Sequence, residues 1–192
     1  MKPIVTKKYH SFLVQSSRQR VFEVLCRYPD KEFSLSDLAK EARVAKPHIG
    51  LILHEFQKAG IIQIIKLSKI WRIQADLSNW TFVKNKVLYN LNFIYQSGIV
   101  ELLMEHFGNP KALILFGSFR KGEDISSSDI DIAIESEEEE YKTVTTKELL
   151  AFEQAIGRKV QIHLFNRKTV DLNVFNNIAN GIVLAGFLEV RP

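Results

Sequence analysis

One cysteine stands in the 192 residues of this chain. A lone thiol, Cys26, excludes an internal disulfide, and without a nearby His pair it gives no support for zinc. On an apolar helical stretch it reads as a small buried hydrophobe. Long apolar runs are missing too: none approaches the roughly 20 residues that span a bilayer. The opening MKPIVTKKYHSF lacks the apolar core of a signal peptide, so a cytoplasmic location and no membrane partner are expected. No internal repeat is visible. The one low-complexity stretch, Glu137–Glu140, is expected in a solvated loop, because adjacent like charges resist packing. With 46% hydrophobic and 25% charged residues, the chain has the composition of a globular rather than a disordered protein.

The net charge of +4 hides an asymmetry. Met1–Ser78 carries 14 Lys/Arg against 7 Asp/Glu, whereas Asn79–Pro192 carries 12 against 15. A basic front half suits contact with phosphates, and an acidic back half suits metal binding or solubility.

In the front half, Ser17–Tyr28 reads as a helix with Val21, Val24 and Leu25 on one face. Ser36 is placed to cap a second helix running through Arg43. A third begins near Lys46, where Pro47 is tolerated because no amide donor is needed. Its apolar stripe is Ile49, Ile52, Leu53, Phe56 and Ala59, and Gly60 ends it. QIIKLSKIWRIQ then reads as two strands around a Leu67–Lys69 tip. Asn79–Tyr95 reads as a helix with Trp80, Val83, Val87, Leu91 and Ile94 inward. Ile99–Phe107 follows as a further amphipathic helix.

From Lys111 the pattern changes. KALILFG is a short apolar run, expected as a buried strand. DIDIAIE alternates strictly, with Ile130, Ile132 and Ile134 inward, and KVQIHLF alternates with Val160, Ile162 and Leu164 inward. Thr145–Ile156 reads as a helix between them. Asp171–Leu184 reads as a last helix, interrupted near Gly181. Strands mixed with helices over this length describe a small α/β (α+β) domain.

The chemistry is concentrated in LFGSFRKGEDISSSDIDIAI. Gly117-Ser118 sit where a buried strand ends: glycine lets a phosphate approach the backbone, and the serine hydroxyl can donate to it. Alone such a pair is usually a plain turn. Asp129 and Asp131, at period two, point the same way from one strand with Cα atoms roughly 6.5 Å apart. Ordinary packing gains nothing from two like charges there, whereas their hard oxygens suit Mg²⁺ (or Mn²⁺), which keeps positions for water and substrate phosphates. Metal ions so held stabilise in-line phosphoryl displacement.

Gly-Ser, ten residues, then Asp-x-Asp between apolar residues resembles the minimal nucleotidyltransferases of the DNA polymerase β-like superfamily, from Ile99 to about Leu188. The resemblance implies that Gly117 and Ser118 contact the triphosphate of an NTP and that Asp129 and Asp131 hold the metals. Arg120 and Lys121 are further candidates for neutralising phosphate. The family usually places a third carboxylate on the next strand. Here that strand offers Gln161, a neutral ligand, and His163, a candidate base near neutral pH. Such proteins also act as antitoxins on a HEPN-type toxin, so a protein acceptor or toxin partner is compatible.

The front half resembles a winged helix over roughly residues 11–75, whose helix from Lys46 would enter the major groove of duplex DNA. Lys46, His48, Leu51 and His54 would face outward. Lys66, Lys69 and Arg72 on the ribbon, with Lys7 and Lys8 on the arm, would meet phosphates.

The expected organisation is therefore a winged helix-turn-helix domain (1–78), a linker helix (79–97) and a small mixed-sheet nucleotidyltransferase domain (98–192). Two functions compete. One is a Mg²⁺-dependent nucleotidyltransferase with a DNA-binding winged helix. The other is a DNA-binding regulator or antitoxin-like protein that binds nucleotide or a partner without efficient turnover.

Overall fold

Ser16, Ser34 and Thr146 each stand in extended backbone and accept a hydrogen bond from the amide three residues on, and a helix starts after each. These side chains satisfy donors that the first helical turn leaves open. The computed structural model describes residues 16–67 and 70–190, so Lys7, Lys8 and Lys69 lie outside the described residues. Those residues divide into two units, 16–89 and 90–190.

The first unit holds α1 (Ser17–Arg27), α2 (Leu35–Glu41), α3 (Lys46–Lys58) and an antiparallel ribbon of β1 (Ile62–Leu67) and β2 (Ile70–Ala75). Helices and ribbon follow in the expected order. Val21, Leu25, Leu38, Ile49, Leu53 and Ile73 form its core, and Cys26 is buried with them. Phe33 and Ile73 exchange both backbone hydrogen bonds, tying the loop after α1 to the ribbon. The cap of α2 is Ser34, not Ser36, because Ser34 and Asp37 bond reciprocally through side chain and backbone.

Helix α4 (Trp80–Ser97) departs from the expected stripe. Trp80 is 74% exposed; the buried row is Phe82, Lys86, Asn90 and Ile94, at a spacing of four. Phe82 belongs to the first unit's core and Ile94 to the second's. A stripe chosen by hydrophobicity alone passes over a row in which two of four members are polar.

The second unit holds α5 (Ile99–His106), β3 (Ala112–Phe116), α6 (Gly117–Lys121), β4 (Ile130–Glu135), β5 (Lys142–Val144), α7 (Lys147–Ile156), β6 (Val160–Phe165), α8 (Leu172–Ala179) and β7 (Ile182–Gly186). The strands form one mixed sheet in the order β5-β6-β4-β3-β7, with β4 and β6 parallel and the other pairs antiparallel. One face packs Ile130, Ile132, Ile134, Val160, Ile162 and Leu164 against α5 and α7. The other packs Ile114, Ala133 and Phe165 against Ile178 of α8. β4 and β6 are thus buried on both faces rather than one. Mixed α/β architecture is what the strand and helix patterns led to expect.

The helix expected over Asp171–Leu184 is instead α8 followed by β7. Ile178 and Ile182 continue a helical spacing, which hides the break. At Gly181 a β-carbon would stand 2.6 Å from the Leu115 carbonyl and 2.8 Å from that of Ile178, so only glycine fits. The chain leaves the helix there and adds to the edge of β3. β5 is a further strand not anticipated, three residues long. Among the described residues no helix is long and apolar enough to cross a membrane.

Candidate functional site

The central strand β4 carries Asp131 near its N-terminal end, with Asp129 just before its first residue, and its interior explains how the pair is tolerated. Ile130, Ile132 and Ile134 are essentially fully buried. Each such side chain stabilises by about 1.5–3 kcal/mol. Two unit charges at the roughly 6.5 Å that separates the Cα atoms would repel by about 0.6–2.6 kcal/mol between the dielectric limits of water and a protein surface. The apolar face outweighs the repulsion.

Asp131 pairs in register with Phe116 on β3 and with Gln161 on β6. The turn after Phe116 brings Gly117 directly over the Asp131 carboxylate. Gly117 has φ +72°, and a β-carbon built on it would lie 2.2 Å from Asp131 Oδ2. Both facts demand glycine. The Gly-Ser turn and the Asp pair, ten residues apart in sequence, are thereby one site. Ser118 and Arg120 are half-buried on α6 and Lys121 is exposed.

β6 reaches the pair with two side chains. Gln161 Nε2 donates to Asp129 Oδ2 at 2.6 Å. His163 Nε2 stands 3.4 Å from Asp131 Oδ1. Although it lies on the face opposite Val160, Ile162 and Leu164, His163 is only 9% accessible, because Phe116 meets its ring edge-on at 5.0 Å and Tyr141 stacks on it at 5.7 Å. Tyr141 Oη lies 2.6 Å from His163 Nδ1. Burial, and next the negative charge of Asp131, push the Tyr141 phenol above its ordinary pKa.

The loop joining α6 to β4 is held from below. Arg158 donates to the buried Asp124 at 2.9 Å and to the Ser128 carbonyl at 3.3 Å. Asn90 donates to Asp124 and to the Phe119 carbonyl, both at 2.7 Å. This network sets the path of the chain just before Asp129.

A divalent ion suits the carboxylate oxygens, for each Asp keeps one oxygen outside these hydrogen bonds to β6. No group of three or more His, Cys, Asp or Glu able to hold a metal occurs among the described residues. Two other acids of this unit have structural roles. Glu153 accepts from the Val160 amide at 2.6 Å, and Asp171 caps α8. Tyr141 and Phe116 escaped sequence reasoning. Tyr141 follows a run of four glutamates, and nothing local to it points to a strand 20 residues on.

In the first unit, Lys46, His48, Leu51 and His54 lie on the exposed face of α3. Two ribbon cations already have partners. Arg72 forms a two-armed pair with Glu32 at 2.8 and 2.5 Å, and the Lys66 ammonium lies 4.4 Å from the centre of the Trp71 ring.

Residues 98–186 match the model of a family described as polymerase beta, nucleotidyltransferase. No curated protein matches the sequence. The matched segment contains the Gly-Ser turn, the Asp pair and the β6 residues that face it.

Proposed function

We propose, with a nucleotidyltransferase-type domain over residues 98–186 as the premise, that the second unit binds an NTP with Mg²⁺ and transfers its nucleoside monophosphate to an acceptor. Pyrophosphate is the leaving group. The observation that carries this reading is the contact of Asp131 with Gly117, which joins the phosphate turn to the carboxylate pair. Asp129 and Asp131 would hold the ion, whose chemistry is to neutralise phosphate charge in the transition state. Gly117 leaves the backbone open to a phosphate oxygen, Ser118 can donate its hydroxyl to one, and Arg120 and Lys121 follow on α6. Titration calorimetry of the full chain with Mg²⁺ and each NTP tests this, followed by a pyrophosphate-release assay. Asp129→Asn with Asp131→Asn should abolish Mg²⁺-dependent binding and leave the fold intact; equal NTP affinity in that variant would remove the site assignment.

A second reading, nucleotide or partner binding without efficient turnover, is favoured by one observation. The β6 residue in register with Asp131 is Gln161, and its amide donates to Asp129 where a carboxylate would add a metal ligand and a proton acceptor. A protein acceptor is compatible with either reading.

For the first unit we propose a winged helix that binds duplex DNA through α3. Its element order and the exposed Lys46, His48 and His54 support this. Lys66 and Arg72 contribute less than bare charge suggests, because Trp71 and Glu32 already engage them.

A further inference from the structure

Both carboxylates of the acidic pair are met by donors from β6, but only His163 is itself held by a third side chain. An ionised carboxylate can only accept hydrogen bonds. The imidazole nitrogen facing Asp131 Oδ1, Nε2, must therefore carry the proton. In the neutral ring, which has one N–H, Nδ1 is then an acceptor. Tyr141 Oη, 2.6 Å from Nδ1, is then the donor. Its phenol, raised by burial and by Asp131, stays protonated and can fill that role.

We propose that Tyr141 is a positioning residue which, by donating to Nδ1, fixes the Nε2–H form of His163 and through it the orientation of the Asp131 carboxylate. The chain of bonds runs one way, from Tyr141 to His163 to Asp131. Phe116 and the Tyr141 ring flank the imidazole, so the ring is held in plane as well as in protonation. Asp131 is then fixed at both oxygens: Oδ1 faces His163, and Oδ2 lies against Gly117. The carboxylate cannot turn about its own axis without losing the imidazole donor. His163 consequently presents no bare nitrogen to the site; its part is that of a donor. Groups that orient a metal-binding carboxylate typically change metal affinity by about 10–100-fold when lost. Tyr141 stands one bond further out, and up to about tenfold is expected.

The effect on nucleotide affinity rests on the reading proposed above, whereas the hydrogen-bond chain does not, and two measurements separate them. The first is long-range ¹H–¹⁵N NMR of the full chain labelled at histidine, at pH ~8.5 where histidine is neutral, with His163 assigned by difference against His163→Gln. Wild type should show Nε2 protonated and Nδ1 as a hydrogen-bonded acceptor. Tyr141→Phe keeps the ring and removes only the hydroxyl. It should move the Nδ1 resonance to its unbonded position. An Nδ1–H tautomer in wild type, or a spectrum indifferent to Tyr141→Phe, overturns the proposal. The wild-type spectrum decides without any variant. The second measurement is calorimetric binding of Mg²⁺ with ATP, GTP, CTP or UTP. Weaker binding by Tyr141→Phe supports the coupling to Asp131, and unchanged binding overturns it. Absence of NTP binding in wild type counts against the nucleotide reading and leaves the tautomer result standing.

Discussion

Asp131 Oδ2 fills the space that a β-carbon on Gly117 would occupy, at 2.2 Å. A side chain at 117 therefore meets two separate penalties. The left-handed backbone at φ +72° disfavours any L-residue by about 1–2 kcal/mol, and the clash adds to it. Gly117→Ala should destabilise by more than that backbone figure. Adding Asp131→Ala should recover the excess but not the backbone part. Denaturant unfolding of the two single variants and the double measures the coupling. Simple additivity of the two changes would contradict the contact.

Gln161→Asp tests what the neutral amide does. The new carboxylate would face Asp129, to which Gln161 now donates at 2.6 Å, so three like charges would share the mouth of the sheet. Without metal the variant should be less stable than wild type at neutral pH, and its stability should recover at acid pH as carboxylates protonate. Mg²⁺ should raise its melting temperature more than it raises that of wild type, since the ion binds only the folded site. If the amide is what limits turnover, nucleotidyl transfer should rise, with a contribution of about 10²–10⁴-fold from a positioned proton acceptor. Equal Mg²⁺ stabilisation of both proteins would show that residue 161 does not face the ion.

Binding to duplex DNA by the full chain should be electrostatic, and the partners of its cations rank them. Lys46 is exposed on α3, while Arg72 is bound to Glu32 by two hydrogen bonds. Lys46→Ala should weaken binding and lower the salt slope by about one. Arg72→Ala should change the slope less. Gel retardation across a salt series reads both. No retardation at ~50 mM salt would favour a scaffold or dimerisation role for the first unit.

Alkaline stability should depend on two phenols. Tyr141 and Tyr89 are both raised above the ordinary tyrosine value, Tyr89 by burial against the opposing charge of Arg27. A raised folded value means the folded state keeps protons that the unfolded chain has released. Stability should thus be full below pH ~10 and fall as pH rises from there through the folded values. Denaturation midpoints at pH ~9 and ~11, in wild type and in Tyr89→Phe with Tyr141→Phe, give the check. The double variant should lose less stability between them. An identical loss would mean other groups cause it.

Local order determined much of this protein. Helix starts, the burial of Cys26, the two alternating strands and the Gly-Ser to Asp-x-Asp spacing are all written in neighbouring residues, because caps, periodicity and turns act over three to ten positions. Even there, two hydroxyls near one helix start, Ser34 and Ser36, competed, and reciprocal bonding with Asp37 chose the first. Tertiary structure alone decided the rest. Parallel pairing of β4 with β6 set Gln161 against Asp129 and His163 against Asp131, across 32 residues. Addition of β5 to the far edge of β6 brought Tyr141 onto His163, and β7 took the opposite edge because Gly181 alone could pass the Leu115 carbonyl. Strand partners are chosen by backbone hydrogen bonding and close approach between segments remote in sequence, and neither leaves a mark on the residues beside them.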